Sequence, residues 1–231
     1  MYRDLQPLDR SDPSLQRFPI QPCVPDPNPM AVSIAPIEVS ALANRFPIAW
    51  RDAPDGWDLV AVTGLDERHD YWRPREGTST PLPLLARAYP LAVLDDGRAE
   101  ALNVFVDAAA LAGTDPLDDP PQQEQIDAEI ERRCQALWTY VQSRRTAQRL
   151  FRDLAAKDAF TPWNLTLPAS RGPIQIQGLF VLRASFFGSA AHRDIVARHG
   201  WRAASLISLH RIATHRIRAL LADLDGNAAA I

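Results

Sequence analysis

Proline decides where regular structure can form in this chain, because each proline removes a backbone donor and fixes φ. Seventeen of the twenty prolines precede Gln122, and ten fall within the first 54 residues. Pro22, Pro25, Pro27 and Pro29 exclude both helix and central strand from the stretch that holds them. Residues 1–29 therefore read as an extended, Pro-rich arm lying over the surface, with Leu5, Leu8, Leu15, Phe18 and Ile20 seeking burial.

Beyond the arm the pattern is β-like. Met30–Ile37 and Trp57–Leu65 read as strands, Val39–Phe46 as a short helical turn and Pro47–Arg51 as an apolar run. Asp66–Gly77 reads as a polar loop, and Leu82–Tyr89 as a helical turn stopped by Pro90. Leu91–Leu94 and Ala101–Val106 flank Asp95-Asp96-Gly97, a hairpin signal. Ala108–Pro121 reads as a loop.

The second half is helical in character. Asp119 followed by Pro120 and Pro121 suits an N-cap followed by proline where no N–H is needed. Ile126, Ile130, Cys134, Leu137 and Val141 then recur every three or four residues, and Phe151 and Leu154 resume the stripe. One helix over about 122–156 is predicted, with a kink or an exposed middle near Arg144, Arg145 and Gln148. Asn164–Leu167 and Pro173–Arg183 read as the strands of a hairpin around Ser170-Arg171-Gly172. Ala190–His199 reads as a helix capped by Gly200, and a last helix runs over about 201–224. Strands followed by helices, without βα alternation, predict an α+β fold: a mostly antiparallel sheet covered by two long helices. The expected organisation is the arm at 1–29, a single α+β domain at 30–224 and a tail at 225–231.

Charge follows the same division. Residues 1–121 carry ten arginines and nineteen carboxylates, a net of −9; residues 122–231 carry fifteen lysines and arginines against nine carboxylates, a net of +6. Packing of the two halves against each other is the first expectation from this split, and docking of an acidic partner the second. Lys157 is the sole lysine among the chain's cations, an arginine bias consistent with GC-rich coding. No apolar stretch reaches the ~20 residues of a membrane span, and the first residues carry no apolar signal segment, so a cytoplasmic location is expected, with surface-layer association as the open alternative. Two cysteines, Cys23 and Cys134, are too few for a disulfide framework or a four-thiolate zinc site.

The search for chemistry finds little. Gly-rich phosphate loops and the Gly-x-Ser-x-Gly elbow are absent from the sequence. Nothing basic is spaced to activate Cys23 or Cys134. His192-Arg193-Asp194 carries the His-x-Asp spacing of many non-haem iron sites, but it opens a helix rather than lying on a strand. Asp66-Glu67-Arg68-His69-Asp70 offers carboxylates and an imidazole within five residues, so His69 and Asp70 join His192 and Asp194 as the weak metal candidates. His210 shares the apolar face of the last helix and reads as a core histidine hydrogen-bonded to a neighbour. Arg145, Arg149 and Arg152 form a basic stripe on the long helix, and Arg211, His215 and Arg218 form another on the last one. Neither stripe has the interleaved aromatics of a nucleic-acid face, which argues against nucleic acid as the partner. Tyr71 and Trp72, in a polar loop, are candidate exposed contacts.

Several blocks, in this order, resemble the SapC-like family of bacterial proteins. They are YRDLQPLDRSDPSLQ, VSIAPIEVSALANRFPIAW, LVAVTGL and LARAYPLAV in the first half, then RRTAQRLFRDL, NLTLP, IQIQGLFVL, ARHGW and SLISLHRI. The resemblance runs from about Tyr2 to Leu224. It departs from the family pattern after GLFVL, where Arg183-Ala184-Ser185-Phe186-Phe187 replaces an acidic stretch, and at Ser208, where the family often carries histidine. PREGTSTPLPLL likewise stands in place of the family's glycine-tryptophan segment. The resemblance implies a protein whose family name derives from bacterial surface layers. It also implies an accessory role beside TonB-dependent receptors, tryptophan halogenases or cupin-like oxygenases, and it carries over no catalytic residues or cofactor. The expected function is an accessory or interaction protein that binds another bacterial protein, without a cofactor. The alternative is a metal-dependent enzyme or enzyme subunit, of an oxygenase-associated kind, using His192 and Asp194 or the 66–70 cluster.

Overall fold

A computed structural model describes residues 2–21, 23, 29–54, 56–65, 81–94, 102–112, 121–170 and 172–228. In chain order the first half forms β1 (Leu5–Pro7), β2 (Ala31–Ser33), α1 (Val39–Leu42), β3 (Ile48–Ala53), β4 (Gly56–Val62), α2 (Leu84–Ala88), β5 (Leu91–Leu94), β6 (Asn103–Asp107) and α3 (Ala108–Ala112). The second half forms α4 (Gln123–Ala156), β7 (Phe160–Pro162), β8 (Leu165–Leu167), β9 (Ile174–Ile176), β10 (Phe180–Leu182), α5 (Ala190–Ala213) and α6 (Ile217–Ala228). The fold is α+β, and its described strand pairs are antiparallel.

The strands divide among three sheets, in the orders β1-β6-β5, β2-β4-β3-β10-β7 and β8-β9. Gly178 is the reason the Pro173–Arg183 run is not one strand. Its positive φ of 75° turns the chain between β9 and β10, so β9 closes a small hairpin while β10 joins the large sheet. Alternation on β3 and β4 then supplies both faces of that sheet. Ile48, Trp50, Leu59 and Ala61 face one core, while Ala49, Val60 and Val62 face another. The first core is closed by the C-terminal half of α4 (Leu150, Phe151, Leu154) and by α5 (Leu206, Ile207). The second is closed by Ile217, Leu220 and Leu224 of α6 together with the β8-β9 hairpin.

The long helix is unbroken across Arg144, Arg145 and Gln148, so the expected weak middle is not a kink: Ala147 continues the buried stripe there. Its cap is Gln122, whose backbone N–H donates to Gln125 Oε1, and not Asp119, which lies outside the described residues. The segment expected as a loop after β6 begins with a short helix, α3, because Leu111 is drawn into the core under the arm.

The N-terminal half of α4 packs a separate cluster with Leu91 and Val106 of the three-stranded sheet and with Leu15 and Phe18 of the arm. The arm is thus more than an irregular strap. Asp12 caps a 3₁₀ turn at Pro13–Arg17 by accepting from the Ser14 N–H, β1 pairs with β6, and Asp107 accepts the N–H groups of Arg3 and Asp4. Of its five apolar residues Leu15 and Phe18 are buried, whereas Leu5 and Ile20 keep more than a third of their surface exposed.

Arg133 fixes the arm to the body. Its side chain is completely buried; Nε donates to Glu129 at 2.6 Å, and Nη2 donates to the carbonyls of Pro19 at 2.6 Å and Gln21 at 3.0 Å. Nη1 donates to the Tyr89 carbonyl, and the guanidinium stacks 4.9 Å from the Phe18 ring. Arg133→Met keeps the aliphatic stem but takes the guanidinium donors away from the carbonyls of Pro19, Gln21 and Tyr89, leaving the last with only the weak Cys23 thiol contact. The expected loss is at least about 2 kcal/mol in urea unfolding, with new protease cleavage between Arg10 and Gln21. An unchanged midpoint and an uncut arm would contradict this assignment.

Candidate functional site: a basic face on the last helices

The two sequence-level metal candidates at the start of α5 are committed elsewhere. His192 Nδ1 accepts from the Gly188 N–H, its own N–H donates to the Ser189 cap, and its ring lies against Phe186 and Phe187. Asp194 points to Lys157 Nζ at 2.9 Å and to Arg198, and the lysine contact leads the interactions that hold its carboxyl below the ordinary range. His192 and Asp194 therefore do not converge. His69, Asp70, Tyr71 and Trp72 lie outside the described residues, as does the Asp95-Asp96-Gly97 turn. Burial is the leading cause that pushes the Cys23 and Cys134 thiols up, away from reactivity.

His210 is a core histidine, as expected. Its Nδ1 lies 2.8 Å from the Ile48 carbonyl, and Nε2 accepts from the Leu182 N–H at 3.2 Å. One ring thereby pins α5 to β3 and β10, as a neutral tautomer with the proton on Nδ1, and burial brings its pKa down to about 3.

A second buried titratable group carries no periodic signature in the sequence. Glu38 accepts from the Ala35 N–H at 2.6 Å and from the Leu84 N–H at 2.5 Å, so it ties the turn before α1 to the start of α2. It sits at the edge of a concavity of about 580 Å³ between α1, α2 and α4, and burial raises its pKa to about 7.

These two groups act on stability with opposite signs. The His210 contribution is fully present above its unfolded value of about 6.5 and is lost as pH falls towards 3. The Glu38 contribution is fully present below its unfolded value of about 4.3 and is lost as pH rises through about 7. His210→Gln should therefore be increasingly destabilising from pH 3 to 6.5, by up to about 1.4 kcal/mol per unit, and Glu38→Gln decreasingly so from pH 4.5 to 7. Urea midpoints measured across that range check both slopes; parallel profiles for wild type and variant would remove the assignment concerned.

By holding one face of α5 to the sheet, His210 and its neighbours leave the opposite face outward. Between Asp194 and Asp223 the chain carries five arginines and no carboxylate. Arg211, Ile212, His215, Arg216, Arg218 and Ala219 surround an open concavity of about 450 Å³ that straddles the 3₁₀ turn at Thr214–Arg216. Arg211 is held over the Phe187 ring at 4.7 Å. Ile212 is 54% exposed within this ring of cations. The predicted stripe Arg211, His215 and Arg218 is thus a real, exposed cluster, to which the structure adds Arg216 and Ile212. On α4, Arg149 and Arg152 are exposed, while Arg145 is half-buried and has its own interactions.

Among the described residues, ion pairs form both across the two halves and within each of them. Asp58 faces Arg144 at 3.8 Å, but Arg10 pairs with Glu131 in the reverse sense. Arg198 with Asp153 and Arg183 with Asp158 join partners within the basic half. Among the described residues, a group of three or more His, Cys, Asp or Glu side chains able to hold a metal ion is absent, and no helix is long and apolar enough to cross a membrane.

A family model described as SapC matches residues 27–220, most of the chain. The chain belongs to the SapC family. The match spans both halves, from the end of the arm into α6, so the basic concavity lies within the family's extent. Comparison with curated proteins and with solved structures returned no match.

Proposed function

We propose that this SapC-family protein is a non-catalytic accessory protein that binds an acidic segment of another bacterial protein on the α5–α6 basic face. The observation that carries the reading is the exposed Ile212 set among Arg211, His215, Arg216 and Arg218 around one concavity. Charged groups of one sign around an apolar anchor provide steering and register on the rim and desolvation at the centre. The SapC-like resemblance supplies the class of partner: a product of a nutrient-uptake, surface or modification locus, met in the cytoplasm. In this reading residues 30–224 act as one unit that presents the face, with the arm strapped to its far end through Arg133.

The reading predicts the behaviour of Arg211→Glu/Arg218→Glu. The double variant should remain folded and lose no more than about 1 kcal/mol, since both residues are exposed and the stabilising contact removed is that of Arg211 with the Phe187 ring. A photoreactive residue at Ala219 should crosslink, in the native host, to a discrete polypeptide rich in Asp and Glu. Charge reversal should cut that crosslink by about tenfold or more, and raised salt should weaken it in the wild type. A crosslink indifferent to both changes, or none at all, would overturn the reading.

A further inference from the structure

The exposed side of the last helices has a spacing of its own. Trp201, Ser205, Ser208, Ile212, His215 and Ala219 follow one another at alternating steps of four and three residues. That is the seam along which one helix receives another. The buried residues Ala203, Leu206, His210, Ala213 and Ile217 lie on the opposite side, so this seam is a second face and not the core face seen from its edge. Its two large apolar members are unusually open: Trp201 is 76% and Ile212 54% exposed. Ser208 and Ala219 add little bulk between and beyond them, which lets a partner backbone approach. Arg202, Arg211, Arg216 and Arg218 flank the seam, and Arg202 leans over the Trp201 ring at 5.8 Å.

We infer that the element docked here is an amphipathic acidic helix, with apolar residues at heptad spacing flanked by Asp and Glu. The inference rests on the acidic-partner reading above and specifies its recognition element. Trp201 and Ile212 are the anchors, eleven residues or about three turns apart, and the concavity beside Ile212 takes one apolar side chain of the partner. The flanking arginines select against the obvious self-pairing. A second copy docked face to face about a twofold axis would set arginine against arginine. A lipid surface is disfavoured too, because two separated apolar anchors interrupted by serines bury little area in an acyl layer.

The test uses the full-length chain and two synthetic peptides of about 20 residues with identical composition. One carries Leu at the alternating four-three spacing with Glu at the flanking positions; the other is scrambled. Binding is followed by anisotropy of the labelled peptides. The patterned peptide should bind about tenfold tighter than the scrambled one, and Ile212→Ala or Trp201→Ala should each weaken it about fivefold. Both positions are exposed, so unchanged unfolding midpoints accompany these losses. Equal binding of the two peptides, both abolished by Arg211→Glu/Arg218→Glu, would overturn the helix inference while leaving acidic docking intact. Binding of neither peptide would overturn both readings. Tighter association with phosphatidylglycerol vesicles than with the patterned peptide would overturn the inference in favour of a membrane face.

Discussion

One guanidinium fastens the C-terminal end of the proline-rich arm, whose N-terminal end is held by β1–β6 pairing and by Asp107. Prolines in the arm remove the backbone donors with which such a segment would otherwise knit itself into a sheet or helix. The carbonyls of Pro19 and Gln21 still require partners once they are buried. Arg133 supplies those donors from the interior of a 34-residue helix. Glu129, one turn earlier on α4, compensates the charge, and Phe18 covers the flat face of the guanidinium. Lysine could not replace it: the planar fork reaches Glu129, Pro19, Gln21 and Tyr89 in different directions at once, whereas an ammonium is a point charge. The same contact set closes the Tyr89 carbonyl just before β5, so the three-stranded sheet and the arm share one fastening.

The other end of α4 depends on a different solution to the same problem. There the large sheet must be covered on both faces, and β3, like β4, touches both cores. His210 reaches it from α5 as a neutral hydrogen-bonding spacer, accepting from β10 and donating to β3. A charged side chain at that depth would cost several kcal/mol, so the site uses the imidazole as a core amide would be used. The consequence is directional. With His210, Leu206 and Ala213 locked inward, the helical period compels Trp201, Ser208 and Ile212 outward, and the arginines that interleave with them cannot avoid solvent.

What could be read from the sequence follows from the range of the forces involved. The long helix, the strand beginning near Trp57 (expected to Leu65, observed to Val62), the short helix before Pro90 and the break at Gly200 were legible because periodicity and backbone-restricting residues are local signals; Gly200 indeed takes φ 73°. The division into three sheets was not, since one glycine had to be recognised as a turn within an otherwise continuous apolar run. Asp119 was an attractive cap by composition, but the chain starts its helix three residues later, where Gln125 can close on Gln122. Arg133 looked like any polar residue between Ile130 and Leu137, and nothing local distinguishes a buried arginine from a solvated one. Glu38 was silent for the same reason: its partner N–H at Leu84 lies 46 residues away. The basic stripe was visible as spacing, but its anchor Ile212 and its concavity are properties of three-dimensional exposure.

The charge asymmetry, which first suggested two halves neutralising each other, gains a different meaning from these placements. Had internal pairing been its purpose, the arginines of α5 and α6 would lie against carboxylates of the first half; instead the described pairs are divided within and between halves, and Arg211 and Arg218 stand exposed beside Ile212. An arginine surplus on a helix whose inner face is already satisfied contributes nothing to folding, and like charges at such spacing repel by a few tenths of a kcal/mol per pair. A surface that carries this cost and also leaves a tryptophan and an isoleucine in water is better suited to being covered than to remaining bare. On the reading proposed above, the excess of the basic half is charge held for a partner, on a helix whose opposite face is anchored through His210.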